Sequence, residues 1–231
     1  MLIRAADLDH TSAYKLMIGS IIPRPIAWVS TLSKAGVANL APISFFTCVP
    51  GGVSLTIQPK SDGTLKDTFI NIRDTGEFVV NMATLPQIFE VHVTAKEYEA
   101  DVDEFDITGL EKIESTSILP PRVAGSPVAM ECRVNKIFEA PGGQHVVWGY
   151  VINFHIRDDI YVNGRVDFGA IAPVGRLAAE YTLVDNAFVP PLEPSLLAER
   201  SGRRMTRLDS EDPYFAAVET SSWSSSGSVR D

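Results

Sequence analysis

The chain has 231 residues, 45% of them hydrophobic, which is enough for one globular domain, or one domain with an appendage. A formal net charge of −9 argues against a general nucleic-acid binder, which needs a positive surface, so any anion this protein binds is held locally. Two cysteines, Cys48 and Cys132, supply neither a disulfide framework nor a metal motif and are read as buried reduced thiols, and no apolar run approaches the roughly 18 residues of a membrane helix.

The start lacks a basic region followed by an apolar one, so no secretory signal is read and a cytoplasmic location is expected. Tyr14, Leu16 and Met17 then form a segment able to lean on the core. Pro23 and Pro25 hold Arg24 extended and present its guanidinium. Ile26 to Thr31 reads as a buried strand that delivers the hydroxyls of Ser30 and Thr31 to its end, where they can join Arg24 around an anion. Ser33-Lys34-Ala35-Gly36 is a turn, and further short β-branched strands are expected at Ile43 to Val49, Val53 to Ile57 and Glu77 to Asn81. Pro42 marks an edge or bulge that leaves backbone groups for a ligand, beside which Asn39 and Ser44 offer an amide and a hydroxyl to the rim of a flat ring. Phe45 and Phe46 point to opposite faces if they lie on a strand.

Lys66 to Asp74 reads as a short helix ended by Gly76. At its opening, Lys66-Asp67-Thr68 sets a cation and a hydroxyl beside unpaired N–H groups. This is a second anion-friendly set, or else a solvated helix start that Asp67 caps. Thr84-Leu85-Pro86-Gln87 is a capping-box signature, with Thr84 the N-cap of a helix to about Ala95. Asp101, Asp103, Glu104 and Asp106 read as a solvated acidic loop or helix without the spacing of a calcium loop.

From Val128 a period of two marks a half-buried antiparallel strand, which Pro141-Gly142-Gly143 turns back into a second arm from His145 to Ile156; Ile160 to Val162 adds a short strand. His145 starts that arm, either as a surface histidine or as a proton donor beside a flavin or a reduced nicotinamide. His155 shares its face if no bulge intervenes, and two histidines without an acid at ligand spacing do not make a metal site. Residues 185–231 read as a Pro- and Ser-rich tail in which Leu196 to Arg200 can form a helical turn and Trp223 can dock on a partner.

Many short strands, tight turns and few helices indicate a mainly β fold, an antiparallel barrel and not a βαβ sheet. The chain holds no Gly-x-Gly-x-x-Gly, P-loop, Gly-x-Ser-x-Gly or His-Glu-x-x-His pattern. What remains is a site for an anion and a ring.

Over about Tyr14 to Tyr181 the chain resembles the flavin reductase-like, FMN-binding split-barrel family, particularly the branch that includes flavoredoxin. The resemblance lies in the order and spacing of Pro23-Arg24-Pro25-Ile26-Ala27-Trp28-Val29-Ser30-Thr31, Asn39-Leu40-Ala41-Pro42-Ile43-Ser44-Phe45-Phe46 and Lys66-Asp67-Thr68, then Gly76-Glu77-Phe78-Val79-Val80-Asn81, Asp103-Glu104-Phe105, Glu131-Cys132, His145 and Arg176-Leu177 with Tyr181. It implies a split β-barrel over residues 1–184, as a homodimer with FMN, less readily FAD, near the subunit interface. Ser30, Thr31, Lys66, Asp67 and Thr68, with Arg24, would surround the phosphate and ribityl end. Asn39, Ala41, Ser44 and Phe45 would line the ring, and His145 would be the catalytic histidine beside it. The activity implied is hydride transfer from NAD(P)H to the flavin and on to a small acceptor. An FMN enzyme with a specific organic, biosynthetic substrate and a non-catalytic flavin or electron carrier stand as alternatives. Nothing in it calls for a metal, a nucleic acid or a membrane.

Overall fold

The structure, a computed structural model, describes residues 1–203, Met205 and Leu208. The serine-rich end and Trp223 lie outside the described residues. Helix α1 (His10–Ser20) precedes strands β1 (Arg24–Pro25), β2 (Ala27–Leu32), β3 (Ala38–Ile43), β4 (Phe46–Val49) and β5 (Gly52–Ile57). Helix α2 (Asp67–Thr75), β6 (Glu77–Met82), α3 (Ile88–Val93) and α4 (Glu104–Thr108) follow, then a small ribbon of β7 (Lys112–Ile113) and β8 (Arg122–Val123). The long arms are β9 (Val128–Ala140) and β10 (Gln144–Ile156), succeeded by β11 (Tyr161–Val162), β12 (Arg165–Val166), β13 (Val174–Arg176), β14 (Tyr181–Leu183) and α5 (Pro194–Ser201).

Seven strands form one antiparallel sheet in the order β3-β2-β6-β9-β10-β5-β4. Its two edge strands, β3 and β4, are joined by Ser44 and Phe45 alone. Such a link spans roughly 11 Å at most. Laid flat, seven strands would hold those edges about 29 Å apart. The sheet therefore curls on itself, and the Phe45 carbonyl accepts the Thr56 N–H of β5 at 2.8 Å across the seam. The expected single strand from Ile43 to Val49 is broken here because the chain must leave one edge and enter the other. Phe46 packs into the barrel and Phe45 lies outside it against Tyr14, at 6.2 Å between ring centroids.

Ala27, Val29, Ile43, Leu55, Phe78, Val80 and Val147 fill the barrel, and α2 presses Phe69 and Ile72 into the same core. Gly76 ends α2 in the left-handed region at φ 74°, as its position after the helix requires. On the outer face, Trp28, Leu40, Val91, Phe105 and Val174 form a second cluster, and the Trp28 indole N–H donates to the Thr94 hydroxyl at 2.9 Å.

Several local expectations change. Leu16 and Met17 are exposed, and Ile18 is the buried residue of α1, because a helical period places positions 14 and 18 on one face. The Thr84 hydroxyl caps nothing. Thr84 is buried and bridged to Pro173, and a short 3₁₀ turn, Leu85–Gln87, precedes α3. Cys132 is buried, its thiol pushed up to about 12 by burial, whereas Cys48 is exposed because β4 is an edge strand. No helix among the described residues is long and apolar enough to cross a membrane.

Candidate functional site

The first turn of α2 gathers most of the polar residues singled out above. Thr31 and Asn39 are opposite one another in the β2–β3 ladder, so both face α2. The Thr68 hydroxyl donates to Asn39 Oδ1 at 3.2 Å, and the Asn71 amide donates to Thr31 Oγ1 at 3.0 Å. The N–H groups of Phe69 and Ile70 both return to the Lys66 carbonyl, which leaves those of Asp67 and Thr68 as the open, electropositive end of the helix. Asp67 is held by Lys60 at 2.7 Å. Burial pushes the Lys66 ammonium below the usual lysine range; Glu97 opposes the shift and Lys60 adds to it. A phosphate monoester fits this donor set, since it would accept from the helix end and restore the charge that burial disfavours on Lys66.

His145 belongs to the same neighbourhood. Its ring stacks on Phe69 of α2 with centroids 3.8 Å apart and planes 21° from parallel, and across the ladder it is opposite Ile57, next to the Thr56 that binds Phe45. His155 does not share its face. The pairing of β10 with β9 skips Ile152, and this bulge turns the following residues over, so His155 meets Glu131 on the other side of the sheet at 2.6 Å.

Arg24 and Ser30 are not at the α2 end, which corrects the expected anion site at the end of β2. Ser30 and Thr31 alternate across the sheet, and the Ser30 hydroxyl donates to the Pro121 carbonyl on the opposite face. Arg24 lies six residues before Ser30, roughly 20 Å along an extended strand. Arg24 is 6% exposed, and its guanidinium donates to the carbonyls of Ile18 (2.5 Å), Ile21 (3.1 Å) and Leu177 and, at 3.4 Å, to the Ser44 hydroxyl. It is a clamp that joins the end of α1 and the chain after β13 to the Ser44–Phe45 link.

Ala41 and Pro42 lie half-buried on β3, an edge strand. Alternate residues of an antiparallel strand turn their backbone groups outward. The Leu40 N–H is directed outward, to Glu104, so the ring nitrogen of Pro42 also faces the free edge and no ladder bond is lost.

Glu104 is the residue that sequence reasoning missed. It was read as part of a solvated acidic run, yet it is buried at the edge of β3, where it accepts the Leu40 N–H at 2.9 Å and the Asn39 amide at 3.3 Å to each oxygen. The available signal was its place in the first turn of a helix behind an N-cap, Asp103, whose carboxylate takes the Phe105 N–H. Burial raises the Glu104 carboxyl to about 7, against the hydrogen bond from Leu40. The folded state therefore binds a proton that the unfolded chain releases near the ordinary glutamate value, and stability falls as pH rises between about 4.5 and 7. That window is worth about 3 kcal/mol. Glu104→Gln is expected to flatten this part of the stability curve, read by urea unfolding at pH 5 and pH 8; an identical slope in the variant would refute the assignment.

Comparisons with known proteins bear on the fold and the family. The sequence model described as "Flavin reductase like domain" matches residues 18–170. Nitrilotriacetate monooxygenase component B from Bacillus cereus is 32% identical and superposes with a TM-score of 0.79 over 82% of this chain and 98% of that one. The 2-nitrobenzoate 2-nitroreductase NbaA of Pseudomonas fluorescens is 26% identical, with a TM-score of 0.75 over 84% and 97% of the two chains. A putative flavin reductase with a split barrel domain from Shewanella frigidimarina NCIMB 400, at 20% identity, shares the fold with a TM-score of 0.72 over 84% and 100%. The curled antiparallel sheet closed by a two-residue seam is thus a split barrel, and the chain belongs to the flavin reductase-like family.

Proposed function

We propose that this chain is an FMN-dependent oxidoreductase of the flavin reductase type, a cytoplasmic homodimer that takes a hydride from NADH or NADPH and passes electrons to a small acceptor. The observation that carries the reading is the convergence of Thr31, Asn39, Lys66, Asp67 and Thr68 on the first turn of α2, beside a barrel edge that carries Ala41, Ser44 and Phe45. Bound FMN would supply the redox chemistry itself. The protein's part is to hold and orient. Lys66, Thr68 and the α2 N–H groups bind the phosphate; Thr31, through Asn71, fixes the helix that presents them. Asn39 is locked by Glu104 and Thr68, and together with the outward backbone of β3 it aligns the ring. His145, stacked on Phe69, is the proton donor of the site.

Exposed Tyr150, Ile152 and Phe154 on β10, beside an apolar cavity of about 590 Å³ lined by Phe46, Cys48, Val53, Met130 and Val151, support association with a second copy. The purified chain is expected to elute at the mass of two chains with flavin absorption, to release FMN on denaturation, and to bleach on anaerobic mixing with a reduced nicotinamide. A colourless chain that FMN cannot reconstitute would overturn the reading, and bleaching no faster than that of free FMN would leave a flavin carrier in its place. The 2-nitrobenzoate nitroreductase favours a second reading, an enzyme with a specific organic substrate, because there a similar fold acts on one aromatic compound.

A further inference from the structure

We propose that the Asn39 side-chain amide is a two-position relay: a proton on Glu104 turns it over, and the turn frees the Thr68 hydroxyl to donate to the phosphate at the start of α2. Glu104 is thereby a positioning residue for the flavin's phosphate. The inference deepens the flavin reading above and takes the phosphate from it, whereas the relay itself rests on hydrogen bonds within this chain.

Three side chains form the line. The Glu104 carboxylate accepts the Leu40 N–H with Oε2 at 2.9 Å and the Asn39 amide with both oxygens at 3.3 Å. The other end of that amide, Oδ1, accepts the Thr68 hydroxyl at 3.2 Å. All three residues are buried, so a polar group in the line that loses its partner is costly. This is the pattern of an ionised Glu104. Both of its oxygens accept, Asn39 turns its NH2 toward them, and the Thr68 proton is committed to Asn39.

A proton on Glu104 does not fit that pattern. The Leu40 N–H is fixed in the backbone of β3 and keeps Oε2 as its acceptor, so the proton belongs on Oε1, where it meets the Asn39 NH2 donor against donor. A half-turn of the amide about its terminal bond resolves the conflict. Asn39 Oδ1 then accepts from Glu104, and Asn39 Nδ2 donates to Thr68 Oγ1. Having become an acceptor toward Asn39, the Thr68 hydroxyl is free to direct its own proton to a ligand. The open N–H groups of Asp67 and Thr68 belong to the same turn, so a phosphate held there gains a charge-assisted bond.

The surrounding charges set where the relay operates. On its own helix Glu104 is flanked by Asp103 and Asp106, tied to Lys112 at 2.5 and 3.0 Å. From α2 come Asp67, paired with Lys60 at 2.7 Å, and Lys66 at the head of the helix, while β3 carries no titratable side chain. Burial, to which Asp103 and Asp67 add against the Leu40 bond, holds the Glu104 carboxyl at about 7, so both settings are populated near neutral pH. Coupling is reciprocal: a phosphate that prefers the turned amide draws a proton onto Glu104, and its affinity falls as pH rises through about 7.

Glu104→Gln fixes the protonated setting, because its carboxamide accepts from Leu40 and donates to Asn39. In fluorescence titrations with FMN, parent and Glu104→Gln are expected to agree within about twofold at pH 5.5, with Glu104→Gln roughly 3- to 10-fold tighter at pH 8.5. A residue that only supports β3 would change both pH values alike. The gain should vanish in a Thr68→Val background, which has no hydroxyl to release. A gain that survives there reflects the loss of a nearby negative charge and overturns the relay, as does equal affinity of parent and Glu104→Gln at pH 8.5. Thermal unfolding reports that each variant folds. NMR of the flavin-free parent chain reads the amide directly: nuclear Overhauser contacts of the Asn39 NH2 should pass from Leu40 and Glu104 at pH 8.5 to the Thr68 methyl at pH 5.5. An unmoved pattern overturns the proposal, even where Glu104→Gln does not fold. A chain that takes up no FMN at either pH ends the flavin reading instead, and the NMR result still decides the relay.

Discussion

Replacing Glu131 with alanine is expected to lower the melting temperature by roughly 6 to 20 °C, the consequence of losing about 3 to 5 kcal/mol. Glu131 is fully buried on β9, and its carboxylate accepts four hydrogen bonds: from the N–H groups of Thr116 (2.6 Å) and Ser117 (2.9 Å), from the Asn153 amide (2.9 Å) and from His155 (2.6 Å). Alanine would remove the one acceptor these four donors share. The damage would spread, because these bonds anchor the segment from Thr116 to Val123 to the sheet. That segment is also pinned where the Leu119 N–H meets Glu77, where Ser30 donates to the Pro121 carbonyl, and where the Val123 N–H meets Asn81.

The same carboxylate gives an acid signature. Burial alone would raise it, but the donors, Thr116 first and then His155, Asn153 and Ser117, outweigh burial and bring it down to about 2. Its contribution is therefore complete above the ordinary glutamate value and disappears as pH falls from about 4.5 toward 2, about 3 kcal/mol of the same stabilisation. Thermal unfolding of parent and variant at pH 7 and pH 2.5 checks both points. A Glu131→Ala protein that melts within about 2 °C of the parent would sink the assignment.

Much of the barrel was legible from the sequence because period and punctuation agree there. The alternation from Val128, the Pro141-Gly142-Gly143 turn and Gly76 after α2 each state a local geometry that no tertiary contact overrides. Charge was less legible. Glu104 and Glu131 are acidic residues in polar surroundings, and what buries them is the convergence of donors from remote segments: Asn39 and Leu40 for one, residues 116–117 and 153–155 for the other. No local window contains those partners.

The site was legible in the same uneven way. Lys66-Asp67-Thr68 announces itself because a helix start is local, and Thr31 and Asn39 reach it through a hairpin whose turn could be read. The misreading of Arg24 and Ser30 came from treating one strand as a single anion site, when alternation sends Ser30 to the far face and strand length carries Arg24 to the other end. The bulge at Ile152, which separates His155 from His145, has no glycine or proline to mark it, so only the ladder shows it.

Lys66→Ala is expected to weaken FMN binding about 10- to 100-fold while leaving the melting temperature nearly unchanged. A charge-assisted bond to phosphate is worth roughly 1.5 to 3 kcal/mol, and the affinity follows from that. The fold should survive because α2 is held by Phe69 and Ile72 in the barrel core and by the Asn71 bond to Thr31. The lysine also predicts a direction with pH. Burial lowers its ammonium pKa, so binding a phosphate dianion should draw a proton onto it, and affinity should fall as pH rises toward that lowered value. Lys66→Ala should lose this pH dependence, and Lys66→Arg, which keeps the charge but not the shape, should recover only part of the affinity. Fluorescence titration with FMN across pH 7 to 9.5 reads all three results. Equal affinity in parent and alanine variant would remove the first turn of α2 as the phosphate anchor, and with it the geometry from which the activity is inferred.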